Sequence, residues 1–121
     1  MTANARRPLF TKEATLTRTQ STATKLFDLP RWARIEEVLV ISSAAAAGAT
    51  IDLGTKSDAD HYVDAQSVAS VGVNRPATTG NTYATLARTQ GIYGAIGGTP
   101  VAGGPFRIVF VCTSDRLKGN T

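Results

Sequence analysis

The heptapeptide IEEVLVI at residues 35–41 decides the fold class, because its apolar side chains alternate with the two-residue period of an extended strand. Ile35, Leu39 and Ile41 are predicted to share one face, and the two valines to occupy the other. The glutamates lie at the start of the stretch, where a strand still reaches solvent. FRIVFVC at residues 106–112 alternates in the same way and is predicted to be the closing core strand.

Shorter segments with turn residues between them extend this β pattern in both directions, at intervals of roughly 8–12 residues. Strands are predicted at residues 13–18, 23–29, 50–54, 61–64, 68–73, 82–87 and 92–96. Residues 42–48 contain four alanines, which favour helix, but so short a helix is marginal in water, and a loop is predicted. Residues 88–91 are predicted to form a hairpin turn. The pattern indicates one all-β domain, an antiparallel sandwich or barrel.

The length of 121 residues suits a single domain with one hydrophobic core. Residues 1–12 are predicted to form an extended N-terminal arm, residues 13–113 the β-domain and residues 114–121 a polar C-terminal tail. Cys112 is the only cysteine, which excludes a disulfide within the chain and a multi-cysteine zinc site. No run of about 18 apolar residues is present, so the sequence predicts no membrane span.

The net charge of +4 is unevenly distributed along the chain. Residues 1–34 carry a balance of +5, residues 35–64 a balance of −5 and residues 65–121 a balance of +4. Only Arg6 and Arg7 are adjacent bases, and aromatic residues make up 7% of the chain, whereas nucleic-acid-binding proteins cluster their bases with motif or aromatic support. We therefore predict no nucleic-acid partner. Opposed charge on different segments fits docking of one copy on another, or on a different protein.

The single histidine, His61, lies in an acidic segment with Asp58, Asp60 and Asp64, and two interpretations are open. The first is a site for Ca²⁺ or another cation that prefers several oxygen ligands, although the segment lacks the placed glycine and the final glutamate of a calcium loop. The second, which the pattern favours, is a turn in which short carboxylates accept hydrogen bonds from neighbouring backbone groups.

No group of residues predicts catalysis. A serine or cysteine nucleophile needs a base and an orienting group, but His61 is the only imidazole and Cys112 belongs to a core-like strand. Glu36 and Glu37 are adjacent on one strand and are predicted to point to opposite faces, which does not suit a glycosidase pair. The glycines of residues 97–104 are not followed by Lys-Ser/Thr, so a phosphate loop is not predicted. We expect no catalytic residue, no cofactor and no metal, and hence no enzyme.

A set of short motifs resembles a pattern found in small structural proteins of tailed bacteriophages. Its parts are F-D-L-P at residues 27–30, A-R-I at 33–35, T-I-D-L-G at 50–54 and D-A-D-H-Y at 58–62, followed by Gly103-Gly104 and the closing strand at 106–111. The resemblance spans roughly residues 13–113. Trp32 stands where a glycine is common in that family. The proteins concerned are capsid decoration (cement) proteins and related head or fibre components.

This resemblance implies a jelly-roll-like β-sandwich and a non-enzymatic structural role in the virion. The expected function is binding of the outer surface of a phage head, with the major capsid protein as partner, in the form of a homotrimer. Such a protein is made in the host cytoplasm and ends on the capsid surface, without any membrane. The alternative is a tail or fibre module that binds a host receptor or a glycan.

Basic residues of the arm, together with the segment after Pro30, are the candidate partner-binding residues. A segment without its own core can become ordered when it binds. Trp32 has two interpretations, an exposed aromatic anchor at an interface or a turn residue that folds over the edge of the core. The candidates are Arg6, Arg7, Lys12, Arg31, Trp32 and Arg34.

Overall fold

A computed structural model of the protein describes residues 9–114, with the Tyr83 side chain excepted, and places eight strands in them. They are β1 (Leu9–Leu16), β2 (Thr24–Leu29), β3 (Ala33–Ser42), β4 (Thr50–Gly54), β5 (Val63–Ser67), β6 (Gly72–Asn74), β7 (Gln90–Gly97) and β8 (Phe106–Ser114). A single 3-10 turn, Gly80–Tyr83, is the one further element described. In this part of the chain no helix is long and apolar enough to cross a membrane.

The strands form two antiparallel four-stranded sheets packed face to face. The first sheet has the order β1-β8-β3-β6 and the second the order β2-β7-β4-β5. The chain passes from one sheet to the other at every connection except that between β4 and β5, which is the wiring of a jelly roll. The predicted all-β, jelly-roll-like sandwich is therefore confirmed.

The core lies between the sheets and is built from the inward rows of their central strands. On the first sheet, Val38 of β3 pairs with Phe110 of β8, and both side chains are buried. The ring of Phe110 meets that of Phe27 edge to face, with centroids 5.2 Å apart and planes at 79°. This geometry is favourable for two aromatic rings. The second sheet contributes Ile51, Leu53, Ile92 and Ile96.

A β-bulge at the start of β3 changes the predicted facing of its side chains. Ile35 pairs with Cys112 and Glu37 pairs with the preceding Val111, so Glu36 is an extra residue in β3. An extra residue shifts the alternation by one position. Ile35 consequently packs in the core with the two valines of β3, whereas the sequence predicts that it shares a face with Leu39 and Ile41. The prediction that the two glutamates point to opposite faces fails for the same reason, since Glu37 is aligned with the outward Val111 and Glu36 accepts from the Thr113 hydroxyl, also on the outward side of β8.

The boundary of the N-terminal arm also needs correction. The sequence predicts residues 9–12 as part of the arm, but they belong to β1 and pair with residues 110–113 of β8. The sequence does not show this strand clearly, because a charged residue stands among its inward-facing positions. Lys12 is aligned with the buried Phe110 but stays exposed, since β1 is an edge strand. Residues 1–8 of the predicted arm and residues 115–121 of the predicted tail lie outside the described residues, and Ser114 is the last residue of β8.

The long segment between β6 and β7 differs most from its prediction. Residues 82–87 do not form a strand, and the hairpin expected at 88–91 is therefore absent. The backbone of this segment bonds instead to the start of β3: Leu86 N–H donates to the carbonyl of Ala33, the first residue of that strand, at 2.9 Å. Residues 42–48 are predicted as a loop despite their alanines; Ser42 is the last residue of β3, and residues 43–48 do form a loop.

Phe110→Ala is expected to lower the free energy of unfolding by about 3–5 kcal/mol, because it leaves a cavity between the sheets. Equilibrium urea unfolding at a fixed protein concentration measures the change. Val101→Ala is the control, since that side chain is 90% exposed and its truncation should cost less than about 0.5 kcal/mol. A loss below about 1 kcal/mol for Phe110→Ala would contradict a central position of β8 in the core.

Candidate functional site

Three connections and both ends of the described chain gather at one end of the sandwich, which we call the Trp32 end. The connections are residues 30–32, 55–62 and 75–89. The longest one holds the other two by backbone hydrogen bonds. Trp32 N–H donates to the carbonyl of Leu86 at 2.9 Å, and Thr79 N–H donates to the carbonyl of Tyr62 at 2.8 Å. The Trp32 end is thus a fixed surface instead of three independent loops.

Trp32 occupies the tight connection between β2 and β3. Its backbone has φ 77°, in the left-handed region that favours glycine. The indole is half-buried, and the Arg31 guanidinium carbon lies 4.6 Å from the ring centroid. A cation over an aromatic face is attracted by the ring quadrupole. Arg31 is itself exposed, so the pair presents a charged and an aromatic group together at the surface.

The remaining basic candidates are placed apart from this pair. Arg34 lies on the outer face of the first sheet, and its Nε donates to Glu36 Oε2 at 2.9 Å, so its charge is compensated within the chain. Lys12 is exposed on β1, with β8 between it and β3. Arg6 and Arg7 lie outside the described residues. The structure therefore brings Arg31 and Trp32 together, but does not group the six candidates into one cluster within residues 9–114.

The acidic segment around His61 is organised as a turn. Asp58 N–H donates to the carbonyl and to the hydroxyl of Thr55, and His61 Nδ1 lies 3.1 Å from Asp58 Oδ2. Asn81 Nδ2 donates to the carbonyl of His61 at 2.9 Å, which ties the turn to the long connection. Across residues 9–114, no three His, Cys, Asp or Glu side chains are arranged to hold one metal ion.

Two carboxylates of this turn share a hydrogen bond. The bond from Asp60 lowers the pKa of Asp58, which His61 lowers further, and the same bond raises the pKa of Asp60. Both aspartates are exposed, and Asp64 is exposed on β5 beyond them. Because water screens such groups, the arrangement supplies turn geometry instead of a buried acid for chemistry.

The two glutamates at the bulge line an open groove of about 210 Å³ between β3 and residues 75–82. Each is held by other side chains. Glu36 Oε2 accepts from Arg34 and, at 2.6 Å, from the Thr113 hydroxyl. Glu37 is ion-paired with Arg75. Both carboxylates are thus engaged with cationic or hydroxyl groups of this chain, which is not the arrangement of a general acid aimed at a substrate.

Cys112 points into the core and is fully buried. Burial disfavours the thiolate and raises the pKa of this thiol to about 12. The thiolate is the reactive form of cysteine, so Cys112 is inert as a nucleophile near neutral pH.

The partners that fix the Trp32 end are not visible in the sequence. Leu86 and Thr79 hold it through backbone carbonyl and N–H groups and Asn81 through its side-chain amide, and no pattern in the sequence indicates those bonds. The one relevant signal is the family resemblance, in which a glycine is common at position 32. A glycine there points to a backbone with positive φ.

Native Cys112 is expected to resist a water-soluble thiol reagent at pH 8 and to react fully in urea. The unfolded thiol ionises near pH 9 and the folded one only near pH 12, so unfolding releases a proton in that interval. The free energy of unfolding should therefore fall as the pH rises from 9 to 12.

Thiol labelling and urea unfolding across this pH range test the burial of Cys112. Cys112→Ala is the control and should lose the thiol-dependent part of the fall, while contributions from tyrosines and lysines remain. Rapid labelling of the folded wild-type protein would contradict the placement of this side chain in the core.

The sequence matches no protein-family model and no curated protein. The fold is similar to a chain in the capsid asymmetric unit of cyanophage Pam1, with TM-score 0.66 and 19% identity over 89% of this chain and 86% of that chain. It is also similar to a chain in the acidic stable capsid of Helicobacter pylori bacteriophage KHP30, with TM-score 0.62 and 12% identity over 90% of each chain. The near-equal coverage means that the matched chains are about as long as this one. At these identities, what the three chains share is the fold.

Proposed function

We propose that this chain is a non-enzymatic structural protein of a phage virion that binds the outer surface of the head and cements it. The observation that carries the proposal is the similarity of fold over nearly the whole chain to two chains of phage capsids. Those chains are of similar length, so the similarity covers the whole fold and not one part of it. The ion-paired glutamates and the buried thiol described above agree with a non-catalytic role.

The Trp32 end is the proposed capsid-binding surface, with the major capsid protein as partner. Its three connections carry six charged residues, whereas the four connections at the opposite end carry one, Arg18. Charge at an interface steers encounter and selects the partner. Arg31 and Trp32 supply the residue types most frequent among binding hot spots. The other proposed contacts are Arg6, Arg7, Lys12 and Arg34.

A homotrimer would give this attachment its strength. Individual exposed ion pairs contribute only about 0–1 kcal/mol each, so one copy holds weakly by charge alone. Linking three Trp32 ends makes the second and third contacts intramolecular, which raises the overall affinity without any new contact. Bound protein then stabilises the shell by mass action, because rupture of the shell must also break these contacts.

Binding of the purified protein to capsids that lack it tests this proposal. The association rate is expected to fall between about 50 and 500 mM salt, because exposed charges are screened beyond roughly 10 Å, while the final affinity changes less. Removal of residues 1–8, which leaves all of β1, should weaken binding and leave the β-sheet circular dichroism unchanged. A salt-independent rate and full binding of the truncated protein would overturn the role of charge and arm.

The copy number in purified virions distinguishes a decoration protein of the head from a module of the tail or fibre. A decoration protein is expected in hundreds of copies per particle, and a tail or fibre module in a few or tens. Absence from virions would contradict the structural role altogether.

Trp32→Gly is expected to weaken capsid binding while leaving the fold intact. The glycine relieves left-handed strain of about 1–2 kcal/mol and removes the packing of a half-buried ring, so stability should change by no more than about 1 kcal/mol. Co-sedimentation with capsids measures binding, and urea unfolding measures stability. Tyr93→Gln, on the outward face of the second sheet, is the matched control with unchanged binding. Equal binding of Trp32→Gly and the wild-type protein would exclude the aromatic anchor.

A further inference from the structure

Two arginines occupy corresponding positions in adjacent backbone segments at the Trp32 end. The last residue of β2 pairs with the first residue of β7, and Leu86 N–H donates to the carbonyl of Ala33 at 2.9 Å. Between these two pairings lie two segments of three residues each, and Arg31 and Arg88 are their middle residues. Because the segments are joined at both ends, the backbone holds the two side chains beside each other.

Neither arginine has an ion-pair partner in the part of the chain that the structure describes, and both are exposed. Four of the nine bases between residues 9 and 114 are paired with carboxylates of this chain. The paired bases are Lys25, Arg34, Arg75 and Arg107, and the other unpaired ones are Lys12, Arg18 and Lys56. Of the five unpaired bases in this range, Arg31 and Arg88 are the two that backbone pairing holds together.

Like charges at opposite positions of paired segments repel each other. The Arg31 guanidinium cannot move far away without losing its contact with the ring of Trp32, whose centroid lies 4.6 Å from the guanidinium carbon. An anion between the two arginines replaces the repulsion by two attractive contacts, each a hydrogen bond between charged groups. The arrangement is therefore one that a bound anion stabilises.

The acidic residues of the Trp32 end do not supply that anion. Asp58 lies 3.1 Å from the ring of His61 and shares a hydrogen bond with Asp60. Their turn joins β4 to β5, whereas the arginines lie at the ends of β2 and β7. These aspartates repel a long polyanion such as nucleic acid that would cover the whole end, but they leave room for a single anionic group at the arginines.

We propose that Arg31 and Arg88 form a clamp for one carboxylate of the partner protein, carried by an aspartate or glutamate at its surface. The planar guanidinium group presents a fork of N–H donors that matches the two oxygens of a carboxylate. Trp32 holds the first fork in position, and the pairing of β2 with β7 places the second beside it. The identity of the partner as the capsid protein rests on the proposed function, whereas the clamp rests on the two unpaired arginines.

Nuclear magnetic resonance of the full-length protein tests the clamp without any capsid. The probe is N-acetylglutamate methylamide, which carries one side-chain carboxylate, added at constant ionic strength. The Nε–Hε signals of Arg31 and Arg88 are expected to shift together and to saturate. Arg18, an exposed and unpaired arginine of the opposite end, is the internal control and should not saturate. Equal, unsaturated shifts of all three arginines, or saturation by inorganic phosphate alone, would overturn the carboxylate clamp.

Binding to capsids that lack the protein tests the clamp in its proposed setting. Arg88→Gln is expected to weaken binding at least about tenfold, and Arg88→Lys, which keeps the charge but lacks the fork, should weaken it less. Arg18→Gln removes the same charge from the opposite end and is the matched control with unchanged binding. Circular dichroism of all three variants should equal that of the wild-type protein.

The outcomes separate the clamp from the proposed function. Wild-type affinity of Arg88→Gln for capsids would overturn the clamp and leave capsid binding in place. Failure of the wild-type protein to bind capsids would overturn the proposed function, and the titration with the glutamate probe would still decide whether the clamp binds a carboxylate.

Discussion

The pairing of β3 with β8 is the constraint on which the rest of the structure depends. It runs from Ala33 opposite Ser114 to Ser42 opposite Phe106, and it joins segments some seventy residues apart in the chain. β1 pairs only with the far side of β8, and β6 only with the far side of β3. Without this central pair, the first sheet would divide into two separate two-stranded ribbons, β1–β8 and β3–β6, and Phe110 would lose its neighbour Val38 in the inward row. Such long-range pairing requires almost the whole chain before the sheet can form, which is typical of slow-folding β proteins.

Strands of this central pair could be predicted from the sequence because they alternate cleanly. The bulge could not, since two adjacent glutamates read equally well as consecutive positions on opposite faces. One inserted residue reverses every face assignment on one side of it, so Ile35 is in the core although its number is odd like that of Leu39. Residues 9–12 are not recognised as a strand for a related reason. Lys12 takes an inward-facing position at the open edge of the sheet, so apolar and polar residues do not alternate cleanly there.

The prediction of a strand at residues 82–87 is wrong because strand propensity describes side chains only. A strand also needs a neighbouring strand whose backbone N–H and carbonyl groups are still unpaired. All positions beside β7 are taken by β2 and β4. The threonine-rich segment therefore bonds to the β2–β3 connection and becomes the support of Trp32. Position 32 shows what a family resemblance can indicate about the backbone. The glycine common there in the family indicates a positive φ, and the structure has φ 77° at Trp32. The support by Leu86 is a long-range contact that no local pattern encodes.

The basic and acidic segments of the sequence are explained in part by ion pairs within the chain. Arg34 from the basic N-terminal third is bonded to Glu36 of the acidic segment, and Arg75 from the C-terminal half is paired with Glu37. Counting charges along a sequence cannot distinguish such pairs from charges available to a partner. Arg31 differs from them because it contacts the aromatic ring of Trp32. A neutral ring does not cancel the charge of the guanidinium group.

A domain built in this way brings together charges that lie far apart in the sequence. The wiring of the jelly roll passes the chain from sheet to sheet and collects alternate connections at one end. Arg31, Lys56 and Arg88 belong to three different connections, and all three lie at the Trp32 end. The connections of the opposite end carry Arg18 alone, so the difference in charge between the two ends follows from the order of the strands together with the sequence of the connections.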